Sequence, residues 1–543
     1  MTKSVKNLQT WFKTHVEDSG VPYTLDPYQA AIILDDHKNT IVTARAGSGK
    51  TRTIVAKVSY LIGHERIPPE EIIIFAFNKK ACLEVNERLT KITIDGNPLF
   101  EKIPKIATTF HAFAYRTLRV RRDQIVSEEL AFDLIAENLS KHYRIVKPEL
   151  NQEIPDGDTR EPITAEEFLR HSKNLKQFID RAEQQFFADY DLLREKIDEE
   201  LNPSRQKFLK LAFETLELYH ARLETDNLIN FSQMIAKASK NLPEKTPYKY
   251  IFIDEYQDFS LLFLTMIKAL RKTCEDAHLL AVGDDWQAIN RFAGSDVEYF
   301  KNFEDYFPED HKRLFIPTNY RSGKRIVENA NYFMGKALKD YQGCKSGNRL
   351  KSKIHLLETG ELMPTPDQNP KIPLGIRQYL LAAEKIAINL SKTTKTAKTT
   401  KSATAKKSLK LLSRNNELGY KYWSLARFAR ELQKLLDENN LDNLELSSST
   451  IHKSKGLEAD AVILLEIDAG KFPAPDKTGG LWRIFGSNDQ TLLEDEFRLF
   501  YVALTRPKEN LFILTKSQNQ TLDKKLKKYD FLKYLNENWL SPL

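Results

Sequence analysis

A short glycine-rich segment, Ala44-Arg-Ala-Gly-Ser-Gly-Lys-Thr51, places the tightest constraint on the fold of this chain. It follows the β-branched run Thr40–Thr43 and precedes a stretch with helical residue spacing. A strand, a glycine-rich turn and a helix in this order direct backbone N–H groups and the positive end of the helix dipole toward an anion. The closing lysine and threonine suit the phosphates and Mg²⁺ of a nucleoside triphosphate, although Ala44 replaces the usual first glycine. The residues predicted to surround the phosphates are Ala46, Gly47, Ser48, Gly49, Lys50, Thr51 and Arg52.

An acidic pair, Asp254 and Glu255, ends the apolar run Ile251–Ile253. Such a pair can be no more than a solvated strand end. Beside a phosphate-binding loop it has a chemical use, because one carboxylate can hold Mg²⁺ while the other polarises the attacking water. We therefore predict that Asp254 and Thr51 are Mg²⁺ ligands, and that Lys50, Asp254 and Glu255 are catalytic.

Short apolar runs alternate with helical stretches along most of the chain. Continuous apolar runs of this kind predict parallel strands that are covered on both faces. The predicted strands are Thr40–Thr43, Ile72–Phe77, Ile106–Thr109, Tyr250–Asp254, Leu279–Val282, Leu409–Ser413, Ala461–Leu465 and Leu511–Leu514. The predicted fold class is α/β.

Two segments depart from this alternation. Residues 119–225 are charged, nearly free of glycine and helical in their apolar spacing, which predicts an all-α insertion in the first α/β unit. Ser391–Lys410 contains only Ser, Thr, Ala, Lys and one Leu. Because these residues bury too little apolar surface to order themselves, we predict a flexible linker there.

The net charge of +7 does not by itself indicate nucleic-acid binding. Ser391–Lys410 holds seven lysines and no acidic residue, so the rest of the chain is neutral. These lysines can form a solvated tether or a DNA-binding arm, and their composition favours the tether. Evidence for nucleic-acid binding must therefore come from local motifs.

The three cysteines, Cys82, Cys274 and Cys344, are far apart in the sequence. Their number and spacing exclude a disulfide scaffold, a four-cysteine zinc site and a cysteine-bound iron–sulfur cluster, and they fit a reducing compartment. The N-terminal residues lack the apolar core of a signal peptide, and no apolar run reaches the length of a membrane span. We therefore predict a cytoplasmic protein with no membrane partner.

A series of further motifs occurs in a fixed order along the chain. They are Asp254-Glu-Tyr-Gln-Asp258, Gly283-Asp-Asp-Trp-Gln-Ala-Ile-Asn-Arg-Phe292, Thr318-Asn-Tyr-Arg-Ser322, Thr450-Ile-His-Lys-Ser-Lys-Gly-Leu-Glu458 and Tyr501-Val-Ala-Leu-Thr-Arg506. This series resembles the UvrD/Rep family of superfamily-one DNA helicases from about Leu25 to Leu514. Phe77-Asn-Lys-Lys-Ala81, Thr109-Phe-His-Ala112 and Gly283-Asp-Asp-Trp-Gln287 are most similar to the helicase IV branch. The resemblance implies two RecA-like P-loop NTPase domains.

The resemblance also assigns contacts to the base and the ribose of ATP. Gln29 matches the glutamine that reads adenine, and a side-chain amide can donate and accept at once. Tyr320 matches the aromatic residue that stacks on the base, and Glu458 matches the ribose contact.

Other matched positions concern the γ-phosphate of ATP. Arg321 and Arg506 match the two arginines that grip it, a task that suits planar, permanently charged guanidinium groups. Gln287 matches the residue that links the γ-phosphate to the DNA site. The resemblance therefore adds these three residues to the catalytic set.

For the nucleic acid, the resemblance points to aromatic residues on which bases stack. Phe77 and Phe292 match such positions, and stacking is worth roughly 1–3 kcal/mol per base. Phe77 also ends an apolar run and can instead be a core residue. His111 and His452 match contacts to phosphate or sugar.

The chain departs from the family at several positions. Asn290 stands where an aromatic residue is common, which removes one stacking platform. Trp286 replaces an acidic residue that is frequent in the UvrD branch, which agrees with the similarity of this motif to the helicase IV branch. Asn230 stands where many relatives carry Asp.

The resemblance and the composition together predict the domain organisation. Residues 1–118 and 226–312 form core domain 1A, residues 119–225 the helical insertion 1B, and residues 313–543 core domain 2A with the 391–410 linker. UvrD and Rep carry a further 2B domain after the helix that follows the Leu411-Leu-Ser-Arg414 strand. Here that helix ends near Leu436, and the strand entering Thr450 follows too soon for a domain to intervene, so 2B is expected to be absent.

The function implied by the resemblance is that of an ATP- and Mg²⁺-dependent 3′-to-5′ translocase and helicase acting on single-stranded and tailed duplex DNA. ATP would lie between the RecA-like domains, and closure would bring the arginines onto its phosphates. Two alternatives stay open: a motor subunit of a nuclease or defence assembly, with a nuclease or repair factor as its protein partner, and an ATP-gated remodelling protein that does not unwind DNA. The residues before Gln29 and after Leu514 are too few for the extra arm or nuclease domain that these alternatives would carry.

Overall fold

The chain forms two compact units in a computed structural model. The structure describes residues 3–146, 158–364, 371–396, 406–420, 422–468, 471–474, 480–516, 530–536 and 540–541. Unit 1 comprises Met1–Thr43, Thr51–Leu314 and Thr478–Asn488, and unit 2 comprises Ala44–Lys50, Phe315–Lys477 and Asp489–Leu543. Two short segments are separated from their neighbours in the chain. Ala44–Lys50 belongs to unit 2 although unit 1 residues precede and follow it, and Thr478–Asn488 belongs to unit 1 although unit 2 residues precede and follow it.

Unit 1 combines many helices with a central six-stranded sheet, a four-stranded sheet and a two-stranded sheet. Its helices are α1 (Lys3–His15), α2 (Pro27–Ile33), α3 (Lys50–Gly63), α4 (Lys79–Thr90), α5 (Phe110–Leu118), α6 (Glu128–His142), α7 (Ala165–Gln185), α8 (Tyr190–Asp198), α9 (Pro203–Thr225), α10 (Phe231–Lys240), α11 (Leu261–Thr273), α12 (Glu298–Lys301) and α13 (Phe303–Tyr306). Its strands are β1 (Val16–Asp18), β2 (Val21–Pro22), β3 (Asn39–Ala44), β4 (Ile72–Phe75), β5 (Ile92–Ile94), β6 (Asn97–Pro98), β7 (Ala107–Thr108), β8 (Tyr143–Ile145), β9 (Glu161–Ile163), β10 (Tyr250–Ile253), β11 (His278–Gly283) and β12 (His311–Ile316).

Unit 2 has fewer helices and one large sheet. Its helices are α14 (Lys324–Leu338), α15 (Leu374–Thr396), α16 (Leu425–Glu438) and α17 (Asp489–Leu504). Its strands are β13 (Thr318–Asn319), β14 (Lys345–Ser346), β15 (Lys353–Glu358), β16 (Lys407–Ser413), β17 (Leu444–Thr450), β18 (Ala459–Leu464), β19 (Pro507–Thr515) and β20 (Leu540–Ser541). Over the described residues of both units, no helix has the length and apolar composition that a membrane span requires.

The central sheet of unit 1 has six strands in the order β12-β3-β11-β10-β4-β7. The pairings β3–β11, β11–β10, β10–β4 and β4–β7 are parallel. Every residue of β3 is buried, as expected for a strand covered on both faces. Because parallel strands end at the same edge of a sheet, the residues after β10 and β11 lie close to one another there, and the Asp284 N–H donates to Gln257 Oε1.

The large sheet of unit 2 also has six strands, in the order β17-β16-β18-β19-β15-β20, and all of its pairings are parallel. Its core contains apolar residues of the central strands, among them Leu411, Ile463 and Phe512. The α/β prediction is confirmed in both units. In the fully described stretch from residue 422 to 468, only residues 439–443 separate α16 from β17, which leaves no place for a 2B domain.

The predicted insertion is built from α6, α7, α8 and α9, which share a core around Ile135, Leu175, Phe178 and Leu216. The structure adds a short parallel pair of strands, β8 and β9. Each has three residues, which is too short for an alternating pattern to be recognised in the sequence.

The prediction of a flexible linker over Ser391–Lys410 is wrong at its first end. Helix α15 continues to Thr396. Ser391 is buried, and its hydroxyl donates a hydrogen bond of 2.7 Å to Asn443 Oδ1. This partner lies far along the chain, so the composition of the segment gives no sign of it.

The linker prediction is also wrong at the other end, where β16 begins at Lys407. The backbone N–H of Ser408 donates to Asp460 Oδ2 at 2.8 Å, and the Asp460 N–H donates to Ser408 Oγ at 2.9 Å. These contacts and the pairing with β17 and β18 order residues that could not order themselves. Residues 397–405, the middle of the predicted linker, lie outside the described residues.

Candidate functional site

The turn after β3 has the backbone that a phosphate-binding loop requires. Gly47 and Gly49 have φ angles of 74° and 83°, in the left-handed region that glycine adopts without strain. The Ser48 hydroxyl is fully buried and has no hydrogen-bond partner within the part of the chain that the structure describes. Buried polar groups are normally satisfied, so this hydroxyl fits a phosphate oxygen. Helix α3 begins at Lys50 and adds the positive end of its dipole.

Residues of β13 and the turn after it hold this loop within unit 2. Asn319 Nδ2 donates to Ala46 O at 2.6 Å, and Tyr320 N donates to Gly47 O at 2.8 Å. A Cβ added at Gly47 would lie 2.7 Å from Arg321 Cβ. The loop therefore accepts no side chain at this position.

The predicted Mg²⁺ ligands lie together in unit 1. Thr51 Oγ1 donates to Asp254 Oδ2 at 3.2 Å, and Asp254 is buried directly after β10. A hydroxyl and a carboxylate are ligands that Mg²⁺ accepts, so this pair fits the ion. Glu255 has φ 57°, a left-handed conformation that costs a non-glycine residue on the order of 1 kcal/mol. Strain of this kind is typical of functional sites.

A series of hydrogen bonds in unit 1 joins Glu255 to Gln287. Gln257 Nε2 donates to Glu255 Oε2 at 2.6 Å, and Gln257 Oε1 accepts from the Asp284 N–H at 2.8 Å. Gln287 Nε2 donates in turn to Asp284 Oδ2 at 2.5 Å. Gln257, Asp284 and Gln287 are all buried. Gln257 is not among the predicted site residues. The one feature of the sequence that could have indicated it is its place in the motif that begins at Asp254.

The predicted base contacts are held in different units. In unit 1, Asp26 caps α2 and Gln29 completes the capping box: Gln29 Oε1 accepts from the Asp26 N–H at 3.1 Å, and the Gln29 N–H donates to Asp26 Oδ1 at 2.7 Å. This arrangement orients a buried amide whose NH₂ group can donate to a base. In unit 2, the ring of Tyr320 is 43% exposed, as a stacking residue must be.

Arg52 is packed against the N-terminal part of unit 1. Its guanidinium carbon lies 4.3 Å from the centre of the Tyr23 ring, and its carbonyl accepts from the Tyr23 hydroxyl at 2.8 Å. Burial raises the pKa of Tyr23 to about 12, although the positive charge of Arg52 opposes this. Arg52 therefore has a structural partner in addition to its predicted phosphate contact.

In unit 2, Arg321 is paired with Glu458. Arg321 Nε donates to Glu458 Oε2 at 2.7 Å, and Lys508 Nζ donates to Glu458 Oε1 at 2.8 Å. Burial opposes ionisation of Glu458, but the hydrogen bond from Lys508 and the charge of Arg321 outweigh it, so the pKa of Glu458 lies below its usual value. The structure thus brings together two predicted ATP contacts by pairing them with each other.

Arg506 is almost completely buried within unit 2. Its guanidinium donates to Val502 O at 2.8 Å, Leu457 O at 3.1 Å and Ser454 O at 3.3 Å. Its Nη2 also donates to Thr505 Oγ1 at 3.2 Å, so hydrogen bonds within unit 2 fix the orientation of the guanidinium.

Aromatic residues predicted to stack on bases lie on the surface of unit 1. Phe77 is 40% and Phe292 49% exposed, so neither is a core residue. Phe292 lies in a short 3-10 helix, Arg291–Ala293, that follows Asn290. Phe231 was missed by the sequence analysis: it is 52% exposed, and its ring centre lies 5.1 Å from that of His111.

The pKa values of the two predicted histidine contacts lie below the ordinary value for histidine. Burial lowers the pKa of His111, and burial together with the nearby charge of Arg414 lowers the pKa of His452 to about 4. Each imidazole can therefore donate one hydrogen bond to a phosphate or a sugar, but neither forms an ion pair with a phosphate.

The structure explains the asparagine at position 230. Asn230 caps α10 by accepting from the Gln233 N–H at 2.8 Å, and its Nδ2 donates to Glu183 Oε1 at 2.6 Å. Glu183 is buried and also lies 2.7 Å from His220 Nε2. An aspartate at this position could cap the helix equally well but would set an acceptor against Glu183.

Asn230→Asp is therefore expected to destabilise the protein by on the order of 3 kcal/mol, because it breaks a buried charged hydrogen bond. Urea unfolding of the two proteins measures the change. Asn202→Asp is the matched control, since Asn202 caps α9 at an exposed position, where aspartate is well tolerated. Equal stability of the two variants would show that Glu183 does not need the amide donor.

Comparison with known proteins agrees with this geometry. The family model of the UvrD/REP helicase N-terminal domain matches residues 25–308, and that of the UvrD-like helicase C-terminal domain matches residues 365–518. DNA helicase IV of Escherichia coli is 26% identical over 523 residues, which cover 91% of this chain and 69% of that protein. A probable DNA helicase of Mycoplasma pneumoniae is 25% identical over 91% of this chain and 83% of its own length.

A further relative is the ATP-dependent DNA helicase PcrA of Staphylococcus aureus, which is 27% identical over 328 residues, or 59% of this chain and 41% of that protein. The N-terminal family model alone spans more than half of the 543 residues. The glycine-rich loop and the acidic pair lie in the segment matched by the N-terminal model, Arg506 lies in the segment matched by the C-terminal model, and Arg321 lies between the two. The chain therefore belongs to the UvrD/REP family of helicases.

Proposed function

We propose that this chain uses ATP hydrolysis to move 3′-to-5′ along single-stranded DNA and to separate tailed duplexes. The observation that carries this proposal is the hydrogen-bonded series from Glu255 to Gln287. One end of the series suits the activation of water, and the loop at its other end presents the exposed ring of Phe292. Hydrolysis of a phosphate and the stacking of a base would therefore be linked by one series of hydrogen bonds between two loops.

The residues around the loop divide the chemistry among them. Lys50 places an ammonium group at the start of α3, where it can bind the β- and γ-phosphates. Thr51 and Asp254 would hold Mg²⁺, which supplies charge neutralisation on those phosphates. Glu255 can accept a hydrogen bond from water and direct that water toward the γ-phosphate.

Two arginines of unit 2 would act on the γ-phosphate. In this mechanism Arg321 would exchange Glu458 for the γ-phosphate, and Arg506 would add a second guanidinium contact to it. Both guanidinium groups would spread the charge of the transition state. The release of Glu458 from Arg321 would free the carboxylate for the ribose, while Gln29 and Tyr320 contact the adenine.

DNA would bind through stacking more than through charge. Phe77, Phe231 and Phe292 offer exposed rings to bases, and His111 and His452 offer neutral hydrogen-bond donors to the backbone. Stacking tolerates any sequence, because every base has an aromatic face. This agrees with a protein that moves along a strand.

Strand displacement on duplexes with a 3′ or a 5′ single-stranded tail tests the function. We expect ATP-dependent unwinding of the 3′-tailed substrate alone, and none by Lys50→Ala. Unwinding from the 5′ tail would reverse the proposed polarity. DNA-stimulated ATP hydrolysis without displacement of either strand would contradict helicase activity and favour a motor subunit that needs a partner.

The coupling of the two sites is tested by two substitutions in one loop. Phe292→Ala is expected to weaken single-strand binding by roughly 1–3 kcal/mol, the loss of one stacked base, while its ATPase without DNA stays near wild type. Gln287→Ala should keep strand affinity but lose stimulation by DNA, because it breaks the bond to Asp284. Fluorescence anisotropy and ATPase assays with and without DNA measure both effects.

The control for Phe292→Ala is Tyr422→Ala, which removes an even more exposed aromatic residue from unit 2, 79% exposed against 49% for Phe292. It should change neither strand affinity nor ATPase. Tight strand binding by Phe292→Ala would exclude Phe292 as the stacking residue.

A further inference from the structure

The side-chain amide of Gln257 is completely buried between two functional loops of unit 1. Its Oε1 accepts from the backbone N–H of Asp284, which can only donate. The amide therefore cannot be reversed, and its NH₂ group must face Glu255 Oε2, which it contacts at 2.6 Å. The polarity of this contact is set by the backbone of the loop after β11.

Gly283, which precedes Asp284, leaves the space that this amide occupies. A Cβ at Gly283 would lie 2.5 Å from Gln257 Oε1 and 2.8 Å from Phe300 Cε2. The backbone can approach Gln257 closely only because no side chain intervenes. A shift of the loop that carries Asp284 would consequently move the acceptor end of the amide and withdraw the donor from Glu255.

We propose that Gln257 is a positioning residue that orients the Glu255 carboxylate and keeps it an acceptor for water. Through Gln257, the orientation of this carboxylate depends on the position of the loop that carries Gln287 and Phe292. The inference rests on the proposed function, since it assigns Glu255 to the attacking water. Gln257 touches neither nucleotide nor DNA in this role and acts through Glu255.

The electrostatics of the site require a neutral donor at position 257. The Asp258 carboxylate lies 3.5 Å from Gln257 Nε2, the Asp284 carboxylate accepts from the nearby Gln287 amide, and Asp254 precedes Glu255 in the chain. A further negative charge here would be repelled, and a glutamate would set a second carboxylate within hydrogen-bond distance of Glu255. Two carboxylates at that distance share a proton, which raises the pH at which the pair becomes fully ionised.

The test is the pH dependence of ATP turnover by the full chain, measured with and without single-stranded DNA. Gln257→Glu keeps the size of the side chain and an acceptor for Asp284 but removes the donor. We expect its turnover at pH 7 to fall on the order of tenfold and to recover at higher pH, so that its acid limb lies at higher pH than that of wild type. Gln257→Met removes both hydrogen bonds without adding charge and should lower turnover at every pH and reduce stimulation by DNA.

Gln433→Glu is the matched control. Gln433 Nε2 also donates to a carboxylate, Asp437 Oδ1, at 2.8 Å, but on the exposed face of α16. Its pH profile should coincide with that of wild type. Thermal melting and ATP affinity of each variant establish that it is folded and binds nucleotide.

The outcomes separate the inference from the function on which it rests. If wild type hydrolyses ATP and the acid limb of Gln257→Glu coincides with that of wild type, Gln257 does not position Glu255, and the proposed function stands. If Gln257→Met turns over ATP as fast as wild type, the inference is likewise overturned. A folded wild type that hydrolyses no ATP overturns both.

Discussion

Glu255→Gln is expected to lower DNA-stimulated ATP turnover by on the order of a hundredfold or more while ATP affinity is retained. The substitution preserves the size of the side chain but removes the negative charge that polarises water, a contribution of this magnitude in other enzymes. The amide keeps one oxygen that can accept the hydrogen bond that Gln257 Nε2 donates to Glu255 at 2.6 Å, so the local geometry is retained. Turnover is measured by phosphate release and affinity by a fluorescent ATP analogue.

Glu438→Gln serves as the control, because Glu438 ends α16 on the exposed surface. It should leave turnover and affinity unchanged. Hydrolysis by Glu255→Gln at the wild-type rate would show that another group activates the water. Loss of ATP affinity would instead assign Glu255 to nucleotide binding.

Gly47→Ala is expected to reduce ATP affinity on the order of a hundredfold. The left-handed backbone of Gly47 costs an alanine about 1–2 kcal/mol, and the new methyl group meets Arg321 Cβ at 2.7 Å, an overlap that costs about 1–3 kcal/mol. The loop either bears both costs or moves, and in either case it loses the shape that receives the phosphates. Titration with a fluorescent ATP analogue measures the change.

The chain offers a control that separates these two costs. Gly20 has a similar φ of 77° but no atom within 4 Å of an added Cβ. Gly20→Ala should therefore lose roughly 1 kcal/mol of stability and none of its ATP affinity. Equal ATP affinities of the two variants would exclude the close approach of Arg321 as the reason for glycine at position 47.

Local patterns predicted the parts of the structure that are held by local interactions. The strands β3, β4, β10 and β11 are continuous apolar runs, and the turn after β3 contains the glycines that its backbone requires. Such features depend on residues within one or two turns of chain. They were predicted from the sequence because the physical cause and its signal lie in the same few residues.

Features that depend on distant partners were missed. Ser391 and Ser408 are ordered by Asn443 and Asp460, which no composition of the linker segment indicates. The contact between Gln257 and the Asp284 N–H likewise exists only once β10 and β11 are paired. The ion pair between Arg321 and Glu458 also joins residues that are far apart in the chain, and each of them had been assigned separately to ATP.

The segment Thr478–Asn488 belongs to unit 1 although it follows most of unit 2 in the chain. Leu481, Trp482 and Phe485 complete the apolar core of the helical insertion, and the guanidinium of Arg181 lies 4.6 Å from the centre of the Phe485 ring. During synthesis the ribosome must therefore add the residues from 315 to 488 before this core can close. At about 5–20 residues per second, the helices wait on the order of ten seconds or more for their last apolar partners.

This order of events also limits how the protein can be divided. A fragment that ends at Leu314 would contain every helix of the insertion but would expose the apolar surface that Trp482 and Phe485 cover. Exposed surface of this kind favours aggregation. A stable fragment of unit 1 would need residues 478–488 joined to it through a new connection, so truncation of the gene after Leu314 is a poor route to an isolated unit 1.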